Sequence, residues 1–105
     1  MNRDETIDIG MRAAIFYKTA KLAIRDGNDK KAAMYFGMAA DEYKTLAENQ
    51  VSIADRLAYR EMEKECLEYT YINAKADPEA WKANEERIKD ISDEIELLNN
   101  EGEIQ

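Results

Sequence analysis

Residues 16–43 decide the fold, and they read FYKTAKLAIRDGNDKKAAMYFGMAADEY. Small and aromatic residues recur along this stretch at helical spacing, as in Phe16 and Ala20 before Gly27 and Phe36 after it. Small side chains let two helices approach closely, and aromatic rings fill the space beside them. Gly27 can adopt the left-handed conformation with which helices commonly end. The stretch therefore predicts two antiparallel helices joined by a turn at Gly27.

Capping signals and apolar periodicity extend this hairpin to four helices. Asn28 or Asp29 is expected to cap the second helix, Ser52 the third, and Asp77, followed by Pro78, the fourth. The helices are predicted at about residues 4–26, 29–48, 52–76 and 78–100.

Both chain ends are expected to be less regular than the helices between them. Gly10 disfavours a helix by about 1 kcal/mol relative to Ala, so the alternative start of the first helix is near Gly10, with residues 1–9 frayed. Residues 101–105 are expected to form a frayed tail.

The composition favours the same fold class. Hydrophobic residues make up 45% of the chain and charged residues 36%, and there are only one Pro and four Gly, too few for a sheet with many tight turns. We therefore predict an all-α, antiparallel up-and-down four-helix bundle in which residues 1–105 form one domain. Cys66 lies on the main apolar stripe of the third helix, so we expect a core residue rather than a reactive thiol.

The charge is unevenly distributed. The net charge is −8, and residues 51–105 carry seven Lys and Arg against fifteen Asp and Glu, whereas the first fifty residues are balanced. We interpret the acidic half as a solvated surface, or alternatively as a face for a basic partner. Direct nucleic-acid binding is not expected, because phosphate recognition needs a basic footprint.

The cellular location follows from what the sequence lacks. No apolar run approaches the length of a membrane span, and the N-terminus has no apolar signal core. The single Cys66 leaves no internal disulfide. We therefore expect a cytoplasmic protein that does not insert into membranes.

The residue types also bear on catalysis. The chain has no His and one Cys, which removes the commonest general base and a thiolate zinc site, and it has no Gly-rich phosphate loop. Acidic residues share faces of the third and fourth helices, where solvated surface is expected and weak calcium or magnesium binding is the alternative: Glu61, Glu65, Glu68, Glu86, Asp90, Asp93 and Glu94. We expect no catalytic residue, no cofactor, no metal site and no enzymatic activity.

The first hairpin resembles a tetratricopeptide repeat. Six positions fit that pattern at its spacing: Phe16, Ala20, Gly27, Ala32, Phe36 and Ala39. The layout of residues 9–76 is similar to a microtubule-interacting and transport (MIT) domain, through the Ala-rich first helix, the turn at residues 26–29 and the charged segment 64–69. The resemblance implies that the first three helices pack as they do in these families.

The resemblance to MIT domains also implies a function. It implies a non-catalytic adaptor that binds a short amphipathic helix or serves an AAA+ ATPase or another assembly. The groove residues would come from the second and third helices, and Tyr59 is added as an aromatic anchor. The candidates on these two helices are Tyr35, Met38, Leu57, Tyr59, Leu67 and Tyr71.

The fourth helix carries a narrow apolar edge that completes the candidate binding residues. This edge contains Trp81, Ile88, Ile91 and Ile95. It is expected to pack permanently on its own domain, or alternatively to act as a displaceable plug. Two further alternatives stay open: a structural homodimer through this helix, and a small acidic inhibitor or nucleic-acid mimic that acts through residues 77–105.

Overall fold

The computed structural model describes residues 1–70 and 77–104, with side chains through residue 101, and these residues form four α-helices. The helices are α1 (Arg3–Arg25), α2 (Asp29–Glu48), α3 (Ile53–Tyr69) and α4 (Pro78–Ile104). The all-α class and the order of the four helices are confirmed. The predicted end of the third helix at residue 76 lies outside the described residues.

The first helix begins at Arg3, so the alternative start near Gly10 is wrong. The Asn2 side chain accepts a hydrogen bond from the Glu5 backbone N–H at 2.9 Å, and its amide donates to the Glu5 carboxylate at 3.0 Å. The Asn2 side chain thereby satisfies one helix N–H group that would otherwise lack a partner. Ile9 is buried in the core, which holds the first turns in place and offsets the cost of Gly10.

The turn between α1 and α2 has the predicted geometry. Gly27 has φ 76°, and no other described residue has a positive φ. Its N–H donates to the Ile24 carbonyl at 3.0 Å, and the Asn28 N–H donates to the Ala23 carbonyl at 2.8 Å, which is the Schellman pattern. The Asn28 side chain then caps α2 by accepting from the Lys31 N–H.

The remaining helix ends combine confirmed caps with one correction. Ser52 caps α3 by accepting from the Asp55 N–H, and Asp77 caps α4 by accepting from the Ala80 N–H. α4 continues to Ile104, so residues 101–104 are helical where a frayed tail was predicted, and Gln105 lies outside the described residues. The two caps therefore fix where α3 and α4 begin.

Each helix packs antiparallel to the helix that follows it. Phe36 of α2 is fully buried between Tyr17 of α1, whose ring lies edge-on at 5.8 Å, and Tyr69 of α3, whose ring is stacked at 4.6 Å. α1 and α2 approach through buried alanines, which are Ala13, Ala20, Ala23, Ala32, Ala39 and Ala40.

Hydrogen bonds also link helices that do not follow one another in the chain. The Tyr17 hydroxyl donates to Glu65, which links α1 to α3, and Arg87 donates to Asp41 at 2.8 Å, which links α4 to α2. α3 and α4 run antiparallel. The Asn84 amide of α4 donates to the Thr70 hydroxyl at the end of α3, and Arg56 near the start of α3 donates to Glu94 further along α4. This arrangement places the beginnings of α2 and α4 on the two sides of a cleft, next to the end of α3.

Candidate functional site

Two of the predicted binding residues lie in the core. Leu67 of α3 is 1% exposed and Ile91 of α4 is 4% exposed. Leu67 therefore does not line an open groove, because it faces into the domain together with Cys66 and Arg60. Tyr71 lies outside the described residues.

The predicted aromatic anchors are half-buried and engaged with other rings. Tyr35 lies against Phe16 with 6.0 Å between ring centroids, and Tyr59 is stacked on Tyr43 at 6.5 Å. Both rings pack against the core cluster, whereas Met38 on α2 is exposed. Leu57 on α3 is half-buried. Met38 is therefore the exposed residue among the described candidates on α2 and α3.

The apolar edge of α4 faces its own domain. Ile88 and Ile95 pack against the core that contains Ile91, and Leu98 is buried one turn further along. That edge is therefore occupied by contacts within the chain. Trp81 lies near the start of α4 and is half-buried, with its indole N–H donating to Glu85 at 2.8 Å.

Trp81 lines a cleft of about 590 Å³ between α2 and α4, which we call the α2–α4 cleft. Met34 and Gly37 contribute from α2, Ala80 and Asn84 from α4, and Thr70 from the end of α3. The other lining residues are Asn28, Lys30, Lys31, Ala33 and Asp77. Its walls therefore combine an apolar surface with cationic and amide groups.

Of the predicted binding residues that the structure describes, only Trp81 lines this cleft. Lys30, Met34 and Gly37 follow one another at helical spacing on the side of α2 that is not the Ala-rich face. The spacing could have indicated a shared face. It could not indicate that the start of α4 lies beside that face, because this neighbourhood depends on how α4 returns along α3.

An ionic network missed by the sequence reasoning holds α4 in place beside the cleft. Glu63 of α3 is buried, and it contacts Arg60 of the same helix at 2.7 Å and Arg87 of α4 at 2.8 Å. Arg87 also contacts Asp41 of α2 at 2.8 Å. The signal in the sequence was the opposite charge of Arg60 and Glu63, three residues apart.

The network continues along α3 through Glu94. The Glu94 carboxylate contacts Arg60 at 2.6 Å and accepts from Arg56 Nε at 2.8 Å, and its side chain is half-buried. The interpretation of Glu94 as part of a solvated acidic face is therefore wrong. Glu65 likewise accepts from the Tyr17 hydroxyl, so it too has a protein partner.

Burial raises the pKa of two titratable groups in the core, Cys66 and Tyr43. Burial raises the pKa of the Cys66 thiol to about 12, and Cys66 is fully buried, as predicted for a core cysteine. Burial also raises the pKa of Tyr43. Within residues 1–70 and 77–104, no group of three or more His, Cys, Asp or Glu side chains is arranged to hold a metal ion.

Comparison with known proteins returned no relative. No protein-family model matches the chain, and no curated protein and no solved structure matches it. In the part of the chain that the structure describes, no helix has the length and apolar character needed to cross a membrane.

Proposed function

We propose that the chain is a non-catalytic protein-interaction module that binds an amphipathic helix of a partner protein in the α2–α4 cleft. The observation that supports this proposal is the cleft itself, which is large enough to receive two or three side chains of a docked helix. The resemblance to MIT domains is the second support, and it favours a partner in an ATPase or another assembly.

The apolar walls of the cleft suit variable helical side chains. Met34 is 55% exposed at the cleft wall, and its flexible thioether adapts to differently shaped neighbours. Trp81 supplies a large aromatic surface, the residue type that most often dominates binding energy. Gly37, with no side chain, leaves room for a partner to approach the α2 backbone.

The rim charges favour one kind of partner helix. Lys30 and Lys31 lie at the α2 side of the cleft, and Asp77 lies at the α4 side. A helix with apolar residues one turn apart and an acidic residue flanking them would complement this rim near α2.

Trp81 provides the experiment, because it is the only Trp in the chain. Peptides selected from a display library of amphipathic helices are titrated into the full chain while Trp81 fluorescence is recorded. We expect saturable changes for peptides with an acidic flank, and we expect binding to persist at about 0.5 M salt because apolar burial dominates it. An acidic mimic would instead lose its partner at that salt concentration.

Two matched variants locate the binding surface. Met34→Glu places a charge in the cleft, and Met11→Glu places one on α1 at nearly the same exposure. We expect the first variant to abolish peptide binding and the second to preserve it. Equal binding by both variants would refute the cleft as the docking site.

A further inference from the structure

The outward face of α1 carries an apolar stripe that no described residue covers. Ile7, Met11, Ile15 and Leu22 are between 40% and 59% exposed. They lie opposite the buried face of the same helix, which contacts α2. Large apolar side chains grouped on one helix face usually mark a contact surface.

The charges on this stripe are divided between the two ends of the helix. Asp4 and Asp8 follow Arg3 in the first two turns, whereas Lys18, Lys21 and Arg25 lie in the second half, before Asp26. No acidic residue occurs from residue 9 to residue 25. Two copies of α1 in parallel would place like charges together, and two antiparallel copies would place the acidic end of each against the basic end of the other.

The positions along the stripe are also symmetric in sequence. When two antiparallel copies of α1 cross between residues 14 and 15, Ile7 lies opposite Leu22 and Asp4 lies opposite Arg25. Met11 then lies opposite Lys18, whose aliphatic stem can cover the thioether while the ammonium group stays in water. Ile15 lies beside its own copy. Each half of the stripe therefore complements the other half.

We propose that two copies of this chain form an antiparallel homodimer through the outward face of α1. Such a contact uses the same patch on both copies, so it closes at two subunits and forms no filament. It lies on the opposite edge of the fold from α4 and is independent of the proposed cleft. The dimer would present two α2–α4 clefts.

The first test is the solution mass of the full chain over a wide concentration range, by sedimentation equilibrium. We expect the mass to rise from the monomer value of 12.1 kDa to twice that value and then to stop. Ile15→Glu buries a charge at the centre of the contact and should weaken association at least about tenfold. Met34→Glu, at similar exposure on α2, should leave association unchanged. A mass that stays at 12.1 kDa, a mass that keeps growing beyond two chains, or a dimer that tolerates Ile15→Glu overturns the proposal.

A second test addresses the antiparallel orientation. Arg25→Glu places a carboxylate against Asp4 of the partner copy, and Asp4→Lys in a separate protein places two cations together. Each variant alone should dimerise more weakly than the original chain. Mixed in equal amounts, they should form a heterodimer in which the two variant positions make an opposite-charge pair. A mixture that associates no better than the separate variants overturns the antiparallel arrangement.

Discussion

Glu63 of α3 and Arg87 of α4 form a buried ion pair, in which Arg87 Nη2 lies 2.8 Å from Glu63 Oε2 and the Glu63 side chain is 1% exposed. Arg60 contacts the other carboxylate oxygen at 2.7 Å. Two cations therefore share one anion at the interface of the two helices. Separating α4 from α3 would take Arg87 away from the Glu63 carboxylate, so this contact favours the observed packing of the two helices.

Replacing Glu63 should be strongly destabilising. Glu63→Ala leaves Arg60 and Arg87 without their shared carboxylate, and removing one member of a buried ion pair costs about 3–5 kcal/mol in unfolding free energy. Urea unfolding followed by circular dichroism measures this loss. Glu68→Ala is the matched control on the same helix, since Glu68 is exposed and lies 3.9 Å from Lys64. We expect the control to lose less than about 0.5 kcal/mol. Equal losses would show that the network does not stabilise the fold.

The fold was largely predictable because its determinants are local. Gly27, Asn28, Ser52 and Asp77 each act within one turn of their own position, and the alanines of α1 and α2 repeat at helical spacing. The start of α1 was the exception. Gly10 costs the helix about 1 kcal/mol relative to Ala, and the Asn2 cap and the burial of Ile9 outweigh this cost.

The candidate site was less predictable because it joins residues that are far apart in sequence. Met34 and Trp81 line one cleft only because α4 returns along α3 and lies beside α2. The resemblance to MIT domains made Leu67 a candidate and the regular apolar edge of α4 made Ile91 one, but both residues are buried in the core. Burial distinguishes a binding residue from a core residue, and burial depends on the neighbours of each helix.

Two glycine substitutions should change stability in opposite directions. Gly10 lies inside α1, and a Cβ atom added there would meet no atom within 4 Å. Gly10→Ala should therefore raise the unfolding free energy by about 0.5–1 kcal/mol. Gly27 has φ 76°, and an L side chain is strained in this left-handed region. Gly27→Ala should therefore lower the unfolding free energy by about 1–2 kcal/mol. Thermal unfolding of both variants measures the two shifts. A loss of stability in Gly10→Ala would contradict a regular helix through residue 10.

The cap on α1 should act mainly on the first turn of that helix. Asn2→Ala removes the side-chain acceptor for the Glu5 N–H and should lower the stability of the first turn of α1 by about 1 kcal/mol. Amide hydrogen exchange should accelerate over residues 3–8 and stay unchanged in α3. Asn99→Ala, on the exposed side of α4, is the control and should change neither measurement. Uniform acceleration along the chain would contradict a local capping role.

The buried thiol should make stability fall at alkaline pH. Burial raises the pKa of Cys66 from 9.0 to about 12, so below pH 9 both the folded and the unfolded chain hold the proton and the thiol contributes no pH dependence. Above pH 9 the unfolded chain releases the proton and the folded chain retains it, which favours unfolding by up to about 1.4 kcal/mol per pH unit. Cys66→Ala removes this contribution, so its unfolding free energy should fall less steeply between pH 9 and pH 10 than that of the original chain. The comparison of slopes is independent of the constant loss caused by the smaller side chain. Identical slopes in urea titrations across this interval would show that Cys66 ionises in the folded chain as readily as in the unfolded one.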